Sequence, residues 1–133
     1  MILAVADTHT VIWYLENDSR LGTNAKATFA EAVRKDDEIA ISAITLVEIV
    51  YLVERNRIPA GYFSQLMNDL DSNDSVLVEV ALSPAIVRTL TKVDWSQVPD
   101  MPDRIITATA LHLNVPVISR DHKIQASNVP TIW

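Results

Sequence analysis

The chain has 133 residues, with 11 Lys and Arg against 17 Asp and Glu, for a formal net charge of −6 at pH 7. Apolar residues make up 49%, enough for a folded core and too many for a disordered chain. With no cysteine and two glycines, the chain excludes a disulfide framework, a thiolate metal site and a glycine-rich phosphate loop.

Ile2 to Ala6 is an unbroken apolar run that stops at Asp7, the pattern of a strand covered on both faces. The first residue beyond such a strand stands where open α/β sheets bind their ligands. Thr8 to about Asn17 follows as a short helix with Val11, Ile12 and Leu15 at helical spacing, then a turn from Asp18 to Gly22. Thr23 or Asn24 is suited to cap a second helix to about Arg34, with Ala25, Phe29, Ala32 and Val33 inward. Ile39 to Ile41 reads as the second buried strand, and Ser42 caps a third helix from Ala43 to about Arg55. After a loop at Ile58 to Gly61, the segment Tyr62 to Leu70 carries Tyr62, Phe63, Leu66, Met67 and Leu70 on one stripe.

Ser75 to Val80 is the third strand. Ser83 and Pro84 read as an N-cap followed by proline at the first helical position, opening a helix from Ala85 to Val93. A loop at Val98 to Pro102 precedes a helix from Asp103 to Leu113, ended by Asn114. Val115 to Ile118 is the fourth strand, stopping at Ser119-Arg120-Asp121, and Val129 to Trp133 adds a short edge strand. This alternation predicts βαβ units, hence one three-layer α/β/α domain over residues 1–133 with a mainly parallel central sheet. No apolar run is long enough to cross a membrane, and Met1 leads straight into the first strand without a signal-peptide pattern. A cytoplasmic protein is expected.

Four acids stand out by position. Asp7 ends the first strand, Asp121 ends the fourth, and Asp103 opens a helix behind a proline-bounded loop. Glu48 lies inside the third helix among Val47, Ile49 and Val50, an apolar surround that leaves the helix little solvent face there. A charge is costly to bury unless paired or liganded. Each alone has an ordinary structural explanation: a helix cap at Asp7, a first-turn acid at Asp103, a turn at Asp121, an ion pair at Glu48. Four acids converging on one rim would raise one another's pKa values, and a divalent cation reverses that logic. An all-oxygen set without cysteine suits Mg2+ or Mn2+ better than Zn2+, and such a site activates a water against a phosphodiester.

Arg104 and Arg120 each flank one of these acids and are candidate phosphate contacts or structural partners. His9, His112 and His122 read as surface or capping residues, and Trp13 and Tyr14 as core and interface rather than a base-stacking platform. The net charge argues against a duplex-DNA binder, which would normally be basic, unless bound cations neutralise several of the acids.

The ordered set resembles the PIN domain family, specifically the VapC-like toxins of prokaryotic toxin–antitoxin pairs. Its carriers are Val5-Ala-Asp7-Thr8 followed by Val11-Ile-Trp13, Ser42 to Glu48, Asp103 to Ala110, Val117 to Asp121, and Pro130 to Trp133. The resemblance implies a metal-binding quartet of Asp7, Glu48, Asp103 and Asp121, with Thr8 as a nearby hydroxyl helper and Asp100 as a spare acid. It also implies a Mg2+- or Mn2+-dependent ribonuclease acting on RNA, homodimeric, and inhibited by a cognate antitoxin. The competing readings fit poorly. A phosphoacceptor receiver needs an acidic pair after strand one and a lysine after a late strand; a haloacid-dehalogenase-like phosphatase needs an aspartate where His9 stands. A catalytically silent scaffold would have no reason to gather four carboxylates.

Overall fold

Alternation along the apolar strands sets the layers. The computed structural model describes all 133 residues, and its five strands form one parallel sheet. They are β1 (Ile2–Ala6), β2 (Glu38–Ser42), β3 (Leu77–Val80), β4 (Val117–Ile118) and β5 (Thr131–Ile132). The helices are α1 (Thr8–Glu16), α2 (Thr23–Lys35), α3 (Ala43–Glu54), α4 (Gly61–Asp71), α5 (Pro84–Leu90), α6 (Met101–Leu113) and α7 (His122–Gln125). Ala4, Ala6, Ile39, Ile41 and Ile118 pack on one side with Val11, Phe29, Ile49 and Leu66 from α1 to α4. Val5, Ala40 and Val117 pack on the other with Ile86, Ile106, Ala110 and Ile124 from α5 to α7. Both faces of the sheet are covered, which is why β1 reads as a continuous apolar run. The result is the three-layer α/β/α fold expected from the sequence.

The strand order is β3-β2-β1-β4-β5. The chain builds outward from β1 to β3, then returns to the other side of β1 for β4 and β5. The order therefore reverses between β1 and β4, and ligands of open α/β sheets bind at the carboxyl ends of such a switch point. Ala6 pairs with Ile118 there, and the Asp7 N–H donates to the Ile118 carbonyl at 3.1 Å. α1 leaves β1 toward one face while α7 leaves β4 toward the other, so a crevice opens between Asp7 and Asp121.

Several boundaries differ from expectation. Val33 is 64% exposed rather than inward, because the stripe of α2 is carried by Ala25, Phe29 and Ala32. α2 starts at Thr23 behind Gly22, with no side-chain cap from Thr23 or Asn24. α5 stops at Leu90, and β4 keeps only Val117 and Ile118. α6 begins at Met101 rather than Asp103, since a proline in the first turn costs no intrahelical hydrogen bond. The four-residue α7, capped by Asp121, was not expected.

Gly22 has a packing reason to be glycine. A Cβ there would stand 2.8 Å from the Trp133 indole and 2.8 Å from the Trp133 carbonyl oxygen, which accepts from the Asn24 N–H at 3.1 Å. Gly22→Ala should therefore destabilise the fold by about 1–2 kcal/mol, the usual cost of overpacking. A thermal melt reads this directly. An unchanged midpoint would mean that the last residue is not seated against α2.

Candidate active site

Three helices that begin at the carboxyl rim of the sheet are each capped by an aspartate. The Asp7 Oδ1 accepts from the Thr10 N–H at 2.9 Å at the start of α1. The Asp121 Oδ1 accepts from Lys123 and Ile124 at 2.9 and 3.1 Å at the start of α7. The Asp100 Oδ2 accepts from the Asp103 N–H at 3.2 Å at the start of α6. Each cap satisfies an orphan donor of the first turn and engages one carboxylate oxygen, leaving the second without a partner in the chain.

Glu48 arrives from α3 and Asp103 from the first turn of α6. A cleft of about 240 Å3 is lined by Asp7, Thr8, His9, Glu48, Asp100, Asp103 and Asp121. The Thr8 hydroxyl donates to the Glu48 Oε1 and lies 3.2 Å from the Thr45 hydroxyl, locking α1 to α3. The Thr10 hydroxyl donates to the Ile118 carbonyl at 2.9 Å and ties α1 to β4. These buried threonines hold the first turn of α1 in place.

No lysine or arginine forms an ion pair with an acid of the cluster. The ion pairs of the chain join Met1 to Asp37, Arg20 to Asp18 and Lys35 to Glu31, none of them a cleft acid. The consequence is largest at Asp103. Burial first, then Asp100, Asp121, Glu48 and Asp7, push its carboxyl up to about 7 from 3.8. Burial also raises Glu48, against the opposing hydrogen bond from Thr8. No three acidic or histidine side chains are drawn together tightly enough to hold an ion as they stand. The cleft therefore offers a set of donors rather than a closed cage. In chemistry the set fits a hard divalent cation: five carboxylates, flanking hydroxyls and no sulfur.

A family model described as PIN domain matches residues 4–128 of this sequence. The chain belongs to the PIN domain family. Across 136 aligned residues it is 25% identical to Ribonuclease VapC22 of Mycobacterium tuberculosis (strain ATCC 25618 / H37Rv), covering 100% of both chains. Its fold is similar to the crystal structure of VapBC2 from Rickettsia felis bound to a DNA fragment from their promoter. That match has a TM-score of 0.72 at 16% identity and covers 98% of this chain and 97% of the other.

In this PIN domain the four acids singled out from the sequence, Asp7, Glu48, Asp103 and Asp121, line one cleft, and the spare acid Asp100 joins them. Three expectations need correction. α3 does have a solvent face, since Val47 and Tyr51 are 48% and 55% exposed, and Glu48 turns the other way toward Thr8. Arg104 is not at the cleft, because its guanidinium donates to the Leu90 and Val93 carbonyls at 3.0 and 2.9 Å. Asp103 does not open α6; Asp100 caps it, and Asp103 sits in the first turn. Sequence reasoning set His9 aside and missed Thr45, which stands three residues before Glu48 and so on the same helix face. No helix is long and apolar enough to cross a membrane.

Proposed function

We propose that this PIN domain is a divalent-metal-dependent endoribonuclease, the toxin member of a toxin–antitoxin pair. The observation that carries it is the convergence of five carboxylates, none of them in an ion pair, at the switch point of the sheet. Asp7, Glu48, Asp103 and Asp121 would hold Mg2+ or Mn2+, with Asp100 in support. When bound, such an ion polarises a phosphodiester and makes a water nucleophilic near neutral pH. The chain's own contribution is preorganisation. Helix caps fix the rotamers of Asp7, Asp100 and Asp121, and the Thr8 hydroxyl aims Glu48.

The names of the similar proteins support the partner reading, a ribonuclease in one case and a VapBC assembly in the other. An antitoxin bringing positive charge would complement a chain of net charge −6. Exposed Val47, Tyr51 and Met101 beside the cleft support self-association as a homodimer in the cytoplasm.

The antitoxin-free chain should cut RNA in Mg2+ or Mn2+, stop when a chelator is added, and lose the activity in Glu48→Gln. Sequencing the new RNA ends from wild type and variant reads both the activity and its sites. A folded, antitoxin-free chain that cuts no RNA with metal present would favour the silent scaffold instead.

A further inference from the structure

Beside the carboxylate cleft lies a second cavity of about 470 Å3 that shares Asp7, His9 and Asp121 with it. Its other walls are Trp13, Arg20, Arg120 and His122. The guanidinium carbons of Arg120 and Arg20 stand 4.8 and 5.0 Å from the centre of the Trp13 ring, within cation–π range. His9 and Trp133 each hold a ring 5.7 Å from that of Trp13, and Trp13 itself is only 6% exposed. The indole is therefore a fixed seat for two arginines and has no free face for a nucleobase. Arg20 spends two donors on Asp18, at 2.7 and 3.0 Å. Arg120 is exposed and makes no ion pair with any carboxylate.

We propose that Arg120, assisted by Arg20 and seated with it on Trp13, forms a phosphate subsite for the RNA strand one step along from the carboxylate cleft. The inference rests on the ribonuclease reading of that cleft. An RNA strand approaching five carboxylates meets repulsion, and this pair of arginines is a cationic surface that adjoins two of them, Asp7 and Asp121. Arginine suits the task, since its planar fork binds phosphate oxygens in pairs, and the indole holds that fork against rotation. Contacts to phosphate carry no base information, so the subsite positions the strand and leaves sequence choice to other surfaces.

The test is fluorescence anisotropy of a labelled single-stranded RNA oligonucleotide, titrated with the protein in chelator and low salt, alongside cleavage kinetics in Mg2+. Arg120→Ala should weaken binding about tenfold and raise KM with little change in kcat. It should also flatten the slope of log affinity against log salt by about 0.7, the signature of one lost single-strand phosphate contact. Arg120→Lys should fall between wild type and Arg120→Ala, because it keeps the charge and loses the fork. Arg34→Ala, on the exposed face of α2, should bind as wild type does. Melting curves check that each variant folds. If wild type cuts RNA and Arg120→Ala binds with wild-type affinity and salt slope, the subsite is overturned and the ribonuclease reading stands. If wild type neither binds nor cuts RNA, both are overturned.

Discussion

Asp103→Asn should raise the melting temperature of the metal-free protein at pH 8 while abolishing RNA cleavage. Burial and four neighbouring acids hold the Asp103 carboxyl at about 7, against 3.8 for an ordinary aspartate. Between about pH 4 and 7 the folded chain therefore keeps a proton that the unfolded chain has lost. Stability falls as pH rises through this window and levels off above it. Asparagine cannot ionise, so the variant loses this dependence and overtakes wild type at the alkaline end. The full shift must be discounted for the residue's partial exposure, which leaves roughly 1–2 kcal/mol, or about 3–8 °C. Adding Mg2+ or Mn2+ should then reverse the ranking. Wild type gains stability by mass action, and the variant, short of one carboxylate, gains less. Scanning fluorimetry at pH 5, 7 and 8, with chelator and with metal, gives every comparison. A wild type that grows more stable from pH 5 to 8 in chelator would remove the basis for this reading. Such a trade of stability for function is common where like charges are gathered for chemistry.

The ease with which these acids could be found in the sequence follows from how each is held. Asp7 and Asp121 were legible because a buried parallel strand is an apolar run with a sharp end, and that end fixes the next residue at the rim. Glu48 was legible for a reason only half right. It stands out among apolar neighbours, but the exposed ones are Val47 and Tyr51, while Glu48 turns inward to Thr8. Periodicity gives the spacing of a helix and not its absolute rotation, so an unusually apolar helix such as α3 hides which face is wet. Asp100 and Asp103 exchanged roles because Pro102, read as part of a loop, is tolerated in the first turn of α6. Arg20 and Trp13 meet Arg120 across three separate segments of chain. No local pattern carries a contact of that kind. The threonines at 8, 10 and 45 look like ordinary helix residues, and only the packing of α1 on α3 and β4 makes them the struts of the cleft.

Asp7→Asn should cut RNA at least ~10³-fold more slowly than wild type and yet melt close to it in chelator, because the two oxygens of Asp7 do different work. Oδ1 receives the Thr10 N–H and closes the first turn of α1. Asparagine keeps that acceptor and caps helices as well as aspartate does. What it removes is the negative charge facing the cleft, where several kcal/mol of charge stabilisation are at stake and each 1.36 kcal/mol is a factor of ten in rate. Asp7→Ala loses both functions. It should be equally inactive and also lose about 1 kcal/mol of capping, or roughly 3–5 °C in melting temperature. Single-turnover cleavage and melting curves on the three proteins separate the roles, with stability following Oδ1 and rate following the charge. An Asp7→Asn protein that cuts RNA at the wild-type rate would leave Asp7 as a helix cap alone. Any metal site would then rest on Glu48, Asp100, Asp103 and Asp121, and the acid at the switch point would have no part in the chemistry.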